Sequence, residues 1–578
     1  MTGKYVADKT ELLLMSLMKA HGVRKIIASP GTTNVGLIAS MQRDSFFEIY
    51  SSVDERSAAY IACGLAEESG EPVALSCTQA TASRNYYPGL TEAYYRKLPI
   101  LAITSTQHAV RIGQNIQQAI DRSVQPVDTV RLSVAIPSVQ NADDARYANI
   151  KINEALLELK RDGGGPVHIN LTTTYTRTFD VDTLPVERVI DRIGRNDPLP
   201  ELPRSWRIGV YVGAHSAWTE SQRQAIDRFC ERYDAVVFCD RISNYNGRWR
   251  VNPSLLFSQE QYATPALEMD LMIHIGNVSG AVTRNKAKRV WRVNPDGEIR
   301  DTFGSLTKVF EMSEEDFFSN YADIVEGSGP RSYFELCNVE CGKISKKVPE
   351  LPFSNPWIAQ QTITRLPGGC ILHLGIYNSL RSWNLFEPEL PIFGYSNTGG
   401  FGIDGGLSSL IGASLARTDL CFGVYGDLAF FYDLNSLGNR HVGNNLRIML
   451  INNGCGVEFK EHINRAYMLG EEADAYIAAR GHYGCKSKDL VKGYSESLGF
   501  KYLSASSKTE FSSHIDEFVS VNDENKSVLF EVFTDSEDEA EALKRLFNIE
   551  SSAAGATKKA VKKLLGVKGT EFLKKRLS

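Results

Sequence analysis

The sequence predicts an α/β protein built on parallel sheets, and three stretches carry that expectation. PVALSCT (72–78) is an apolar, strand-like run between an alanine-rich helical segment, ERSAAYIACGLAEESG (55–70), and a second helical segment, ASRNYYPGLTEAYY (82–95). In the middle of the chain WRIGVYVGAHS, AVVFCD and DLMIHIGNVSG read as buried strands with helical segments between them. LCFGVY (420–425) and LRIMLI (446–451) are continuous apolar runs flanking a helix-like segment, which makes a βαβ unit with parallel strands.

Taken in chain order, the first region closes near GGGPVHINLTTTY (163–175), a glycine turn running into a strand. FDVDTLPVERVIDRIGRNDPLPELPRS is polar and proline-bearing and reads as a linker. The middle region opens at WRIGVYVG and lacks a GxG-type nucleotide motif, so a structural role is expected for it. KKVPELPFSNP (346–356) is a second linker. These signals divide the chain into 1–182, 200–345 and 352–548, followed by a basic tail at 549–578.

Two strand ends stand out. Asp427 follows LCFGVYG, and Asn452 and Asn453 follow LRIMLI. Open parallel sheets bind ligands at the carboxyl edge of their strands. Asp427 offers a carboxylate, Asn453 an amide oxygen and Cys455 a backbone carbonyl, the oxygen donors that a hard divalent cation such as Mg2+ takes. Gly426 lets the backbone approach a phosphate closely. The plain alternative is a strand–turn–helix with a polar tip. At Glu55, where a strand-like segment turns into a helix, the plain reading is a favourable charge in a first helical turn, worth about 0.3–1 kcal/mol.

Composition excludes several classes. The 578 residues carry a net charge of −5, with 43% hydrophobic and 23% charged residues. That profile fits an ordinary globular protein and marks no nucleic-acid binder. No apolar run approaches the ~20 residues that span a bilayer. MTGKYVADKTELLL lacks a signal-peptide core, and a cytoplasmic enzyme with reduced thiols is expected from its ten scattered cysteines. Cys337 and Cys341 have no matching partner pair, which argues against zinc. The tail, GATKKAVKKLLGVKGTEFLKKRLS, holds eight Lys or Arg and short apolar stripes. A weak membrane-surface contact or a docking helix is conceivable from it, and a solvated tail is the favoured reading.

In SPGTT (29–33), DERSAA (54–59), YSNTGGFGIDG (395–405), GDLAFFYDLN (426–435) and INNGCG (451–456), in this order, the chain resembles the thiamine diphosphate (ThDP)-dependent decarboxylases and carboligases of the acetolactate synthase and pyruvate oxidase group. GDL followed by YDLN makes it most similar to the 2-succinyl-5-enolpyruvyl-6-hydroxy-3-cyclohexene-1-carboxylate synthases of the menaquinone pathway. The likeness extends over about residues 10–540.

That resemblance implies three doubly wound parallel-sheet domains: pyrimidine-binding, central and diphosphate-binding. It also implies ThDP and Mg2+ as cofactors, a 2-oxoacid donor and a carbonyl acceptor as small-molecule substrates, and a homodimer or homotetramer with the active site between subunits. Glu55 matches the carboxylate that hydrogen-bonds the aminopyrimidine and sets its tautomer, with Gln118 as a second catalytic residue. Asp427, Asn453 and the Cys455 carbonyl match the metal ligands. Ile403 matches the apolar prop under the cofactor, and Ser396, Asn397, Gly426 and Leu428 fall in the segments lining it.

The departures are at substrate-reading arginines, whose places hold Thr33, Gln107, Thr398 and Leu415. Bidentate arginine–carboxylate pairs are strong and specific, so retained cofactor chemistry with altered substrates is expected. Arg84, Arg111 and Arg381 are nearby cations, each read first as structural. His108 stands alone without a His-His pair, which favours carboligation over aldehyde release. The rival readings are a non-ligating decarboxylase of the phosphonopyruvate or sulfopyruvate type, and a non-catalytic homologue that binds a partner.

Overall fold

The computed structural model describes residues 3–280, 284–521 and 525–552. The expectations for the basic tail therefore lie outside the described residues, apart from its first four. The chain divides into two compact units, Met1–Gly194 with Gly297–Glu311, and Arg195–Asp296 with Met312–Ser578.

The first unit contains a six-stranded sheet in the spatial order Glu48–Ser51, Lys25–Ala28, Val73–Cys77, Ile100–Thr106, Val167–Thr172, Leu132–Ile136, with every pairing parallel. Its central strand Val73–Cys77 is buried along its whole length, as an apolar run in a doubly covered parallel sheet must be. Alternate residues serve opposite faces. Ile26, Ala74, Leu101 and Ile169 pack with the helix Lys9–Ala20, while Ile27, Leu75, Cys77 and Ala102 pack with the helices Glu55–Ser69 and Tyr87–Arg96. The helix Lys9–Ala20 is capped by Asp8, whose Oδ1 accepts from the Thr10 and Glu11 N–H groups at 2.9 and 3.2 Å.

In the second unit the sheet order is Phe393–Tyr395, Ile371–Leu374, Cys421–Gly426, Leu446–Asn452, Val528–Phe533, Lys501–Ala505, again all parallel. Numbered along the chain, both sheets run 2-1-3-4-6-5, so the first and last regions share one topology. A further parallel sheet in this unit takes Arg250–Val251, Ala235–Cys239, Ile208–Val212, Leu271–Ile275 and Val290–Val293. The fold is α/β, with parallel sheets flanked by helices, as the apolar runs predicted.

Two local expectations are corrected. The segment expected to be a linker contributes two strands: Phe179–Val181 pairs antiparallel with Tyr5–Val6, and Asp191–Gly194 pairs parallel with Leu306–Glu311. Short edge strands carry too few apolar residues to show a period. The single helix expected at 82–95 is two, Thr81–Asn85 and Tyr87–Arg96. Pro88 lacks an amide hydrogen and so sits in the first turn of a new helix rather than inside one. Among the described residues no helix is long and apolar enough to cross a membrane.

Candidate active site

The carboxyl edge of the sheet in the second unit opens into a cavity of about 540 Å³. Six residues singled out from sequence line it: Ile403, Gly426, Asp427, Leu428, Asn453 and Cys455. Strand order explains the convergence. Cys421–Gly426 and Leu446–Asn452 are neighbours in register, so Asp427 and Asn453 leave the sheet side by side. Ser396 and Asn397 line an adjoining small pocket that shares Ile376, Gly402 and Ile403 with the large one. Ser396 Oγ donates to the Leu374 carbonyl at 2.8 Å, and Asn397 Nδ2 donates to the Gly405 carbonyl at 3.2 Å.

Asp427 is 6% exposed. Its Oδ1 accepts from its neighbour's N–H, Leu428, at 2.7 Å, and its Oδ2 accepts from Gly454 N–H at 2.7 Å, which ties the two strand-end loops together. Burial pushes its pKa up to about 6 despite those bonds. No Lys, Arg or His lines this cavity, so nothing there neutralises the carboxylate. Asn453 Oδ1 accepts from Cys455 N–H at 3.3 Å. The Cys455 thiol is buried and its pKa pushed up to about 11 by burial, so it is protonated and its backbone carbonyl is the better donor to a hard ion. At Gly426 a Cβ would meet nothing within 4 Å, which leaves open space beside Asp427. Gly454 has φ +75°, and a Cβ there would lie 2.5 Å from Cys485 Sγ, so the turn between the two asparagine-side donors requires glycine.

Several lining residues were not singled out from sequence. Tyr377 and Phe401 are non-glycine residues at φ 62° and 54°, in edge-to-face contact at 5.4 Å on the cavity wall. Strained backbone of this kind collects at functional sites, and FGIDG was the signal at hand for Phe401. Glu458, two residues after INNGCG, also lines the cavity and pairs with Arg381 at 3.0 Å. Arg381 bonds the buried Glu461 as well. Its charge is therefore spent on two carboxylates, and it does not replace a lost substrate arginine. Behind the wall Glu539 is fully buried, accepting from Asn355 N–H at 3.0 Å and Thr534 Oγ1 at 2.7 Å.

Glu55 and Gln118 belong to the other compact unit. Glu55 is the first residue of the helix Glu55–Ser69, which Asp54 caps by accepting from Arg56 N–H at 2.9 Å. Glu55 Oε2 accepts from Asn85 Nδ2 at 3.2 Å. Gln118 is exposed with φ +64°, in an irregular segment where Gly113 and Asn115 are also left-handed. Arg84 donates to the Asp121 carbonyl at 2.8 Å and to Tyr87, so it anchors this segment. Arg111 pairs with Gln107, and His108 Nδ1 accepts from Val110 N–H at 3.4 Å. Around this edge Val53, Tyr60, Ile61 and Tyr95 are exposed by 79, 48, 50 and 70%.

Comparison with known proteins agrees with the motifs. Residues 9–125 match a family profile described as the N-terminal TPP (thiamine pyrophosphate)-binding domain of thiamine pyrophosphate enzymes. A 2-succinyl-5-enolpyruvyl-6-hydroxy-3-cyclohexene-1-carboxylate synthase of Bacteroides thetaiotaomicron is 31% identical over 568 residues, covering 94% of this chain and 99% of the relative. The Bacteroides fragilis protein of the same name is 31% identical over 572 residues, with 94% and 99% covered. That of Porphyromonas gingivalis is 27% identical over 585 residues, with 95% and 98% covered. With motifs, fold and full-length similarity in agreement, the chain belongs to the family of 2-succinyl-5-enolpyruvyl-6-hydroxy-3-cyclohexene-1-carboxylate synthases, thiamine diphosphate-dependent enzymes.

Proposed function

We propose that this enzyme decarboxylates a 2-oxoacid and passes the resulting acyl carbanion to an aldehyde or ketone acceptor, using ThDP and Mg2+. The observation that carries the reading is the buried Asp427 carboxylate, which has no cation among the residues lining its cavity and has Asn453 and the Cys455 carbonyl beside it. An all-oxygen donor set around an uncompensated carboxylate suits a divalent cation, and the open space at Gly426 suits a diphosphate. The residues present fit the group. Asp427, Asn453 and the Cys455 carbonyl would hold the metal, Gly426 and Leu428 would flank the diphosphate, and Ile403 would support the cofactor, with Ser396 and Asn397 on the adjoining wall.

When bound, ThDP supplies a nucleophilic carbon and an electron sink for decarboxylation. The chain's own residues bind, orient and hold protons. Glu55 would hold the aminopyrimidine by a hydrogen bond and so set its tautomer. Gln118 is held in a left-handed turn where its amide is free to meet substrate. A site completed between two copies of the chain, Glu55 coming from one and Asp427 from the other, belongs to the same reading. The exposed apolar residues near Glu55 supply surface for that association. The domain division at 1–182, 200–345 and 352–548 and a cytoplasmic setting belong to the same reading.

We infer that the substrates differ from those that would give the product in the relatives' name. Thr33 and Thr398 are buried, Leu415 is exposed at a helix end, Gln107 donates to Tyr175 OH at 2.6 Å, and Arg381 is neutralised by its two glutamates. The test is CO2 release from a panel of 2-oxoacids, with and without carbonyl acceptors. Release that requires both supports the carboligase. Full release without acceptor identifies a simple decarboxylase instead.

A further inference from the structure

Arg122 is 2% exposed, yet its Nε and Nη1 have no hydrogen-bond partner. Its one hydrogen bond is long, from Nη2 to the Ser105 carbonyl at 3.5 Å. No carboxylate among the described residues pairs with it. The acidic group that acts on it most strongly is the Cys77 thiol, whose pKa burial pushes up to about 12 and which is therefore uncharged at neutral pH. Burial lowers the pKa of Arg122 to about 10, so it remains a cation.

A buried, unpaired cation is costly, and here it sits at the carboxyl end of the strand Ile100–Thr106, in the unit that holds Glu55. The Ser105 carbonyl it approaches also accepts from Thr33 Oγ1 at 3.0 Å, and Thr33 shares a 2.7 Å hydrogen bond with Thr78. Ser105 Oγ is fully buried and likewise without a partner. A buried guanidinium whose Nε and Nη1 donors are unsatisfied, beside unsatisfied and rotatable hydroxyls, offers charge and hydrogen-bond donors to an oxyanion.

We propose that Arg122 binds the carboxylate of a substrate, reaching the ligand when the irregular segment between Gln107 and Asp121 moves aside. The proposal rests on the 2-oxoacid reading above, and it accounts for how a chain with Thr33, Thr398 and Gln107 reads an acid: one internal arginine recognises one carboxylate.

The test uses the full-length protein and the variants Arg122→Gln, Arg122→Met and Arg122→Lys. In the apo form, thermal midpoints are measured with pyruvate, 2-oxoglutarate and acetate as probes, a readout that needs no turnover. A 2-oxoacid should raise the midpoint of the native protein and leave that of Arg122→Gln unmoved. Arg122→Met should be at least as stable as the native apo protein, because it removes an unpaired charge. In the ThDP-loaded enzyme Arg122→Gln should raise KM roughly 10–100-fold, the loss expected for a charge-assisted pair, with ThDP affinity unchanged. An increase confined to the donor assigns the carboxylate to the 2-oxoacid, and one confined to the acceptor assigns it there. If Arg122→Gln does not fold, Arg122→Lys decides by the same KM comparison, since it keeps the charge and loses the fork. Lower midpoints in Gln and Met variants with unchanged KM and unchanged probe response would make Arg122 structural and overturn the proposal. Absence of CO2 release by the native enzyme would refute the 2-oxoacid reading alone, because the apo probe measurement still reports on the anion site.

Discussion

Glu539 offers a quantitative test of the electrostatics behind the cavity. It is fully buried, and burial pushes its pKa from 4.5 up to about 7, although Thr534 and Asn355 donate to it. A folded-state pKa above the unfolded value means that Glu539 contributes its full stability below pH 4.5, and that the contribution is lost as pH rises through about 7. At about 1.4 kcal/mol per tenfold change in proton affinity, ionised Glu539 costs about 3 kcal/mol at pH 8. Glu539→Gln removes that cost. Its amide oxygen still accepts from Asn355 N–H, and its NH2 group can donate to the rotatable Thr534 hydroxyl. Allowing about 1 kcal/mol for imperfect bonds, the variant should be about 2 kcal/mol more stable at pH 8 and nearly equal to the native protein at pH 5. Thermal midpoints in chelator, without cofactor, should differ by roughly 3–8 °C at pH 8. A variant that is less stable by the same amount at both pH values would refute the reasoning, because it would mean the charged form is stabilised where it lies.

Four further outcomes follow from the site. Glu55→Gln should lower turnover by about 100-fold or more while ThDP affinity by calorimetry stays within about twofold. Mixed with an Asp427→Ala protein that is itself inactive, it should recover about a quarter of native activity, since half the dimers are then hybrid and each hybrid has one intact site; no recovery would mean that each site lies within one chain. Arg381→Met leaves Glu458 and Glu461 without their cation and should cost about 3–5 kcal/mol in denaturation experiments. Cys455→Ser keeps the backbone carbonyl and should leave Mg2+ dependence within about twofold of native, whereas a large loss would assign the metal contact to the thiol.

Much of the fold is legible in the sequence because central parallel strands are buried on both faces and so appear as unbroken apolar runs. Val73–Cys77, Cys421–Gly426 and Leu446–Asn452 show this directly. Asp427, Asn453 and Cys455 are legible for the same reason: Asp427 and Asn453 directly follow such runs, Cys455 lies two residues further on, and neighbouring strands bring them together. What escaped is either weakly patterned or conformational. The edge strands Phe179–Val181 and Asp191–Gly194 lie in polar sequence. The left-handed backbone at Tyr377 and Phe401 has no signature in residues that ordinarily avoid it. Glu461, Glu539 and Arg122 look like surface charges in the sequence, and only packing shows them to be buried. Arg381, read first as structural from the sequence, is taken up by Glu458 and Glu461, partners that only packing shows.

The central claim is that the cavity at Asp427 takes ThDP through a divalent cation. Calorimetric titration of ThDP into the native protein and Asp427→Ala, each with Mg2+ and with chelator, tests it most directly. The account predicts binding by the native protein that requires Mg2+, and a loss of at least ~30-fold in affinity for Asp427→Ala, the size expected when a buried charged contact is removed. Native binding that is indifferent to chelator, or equal affinity in Asp427→Ala, would contradict it.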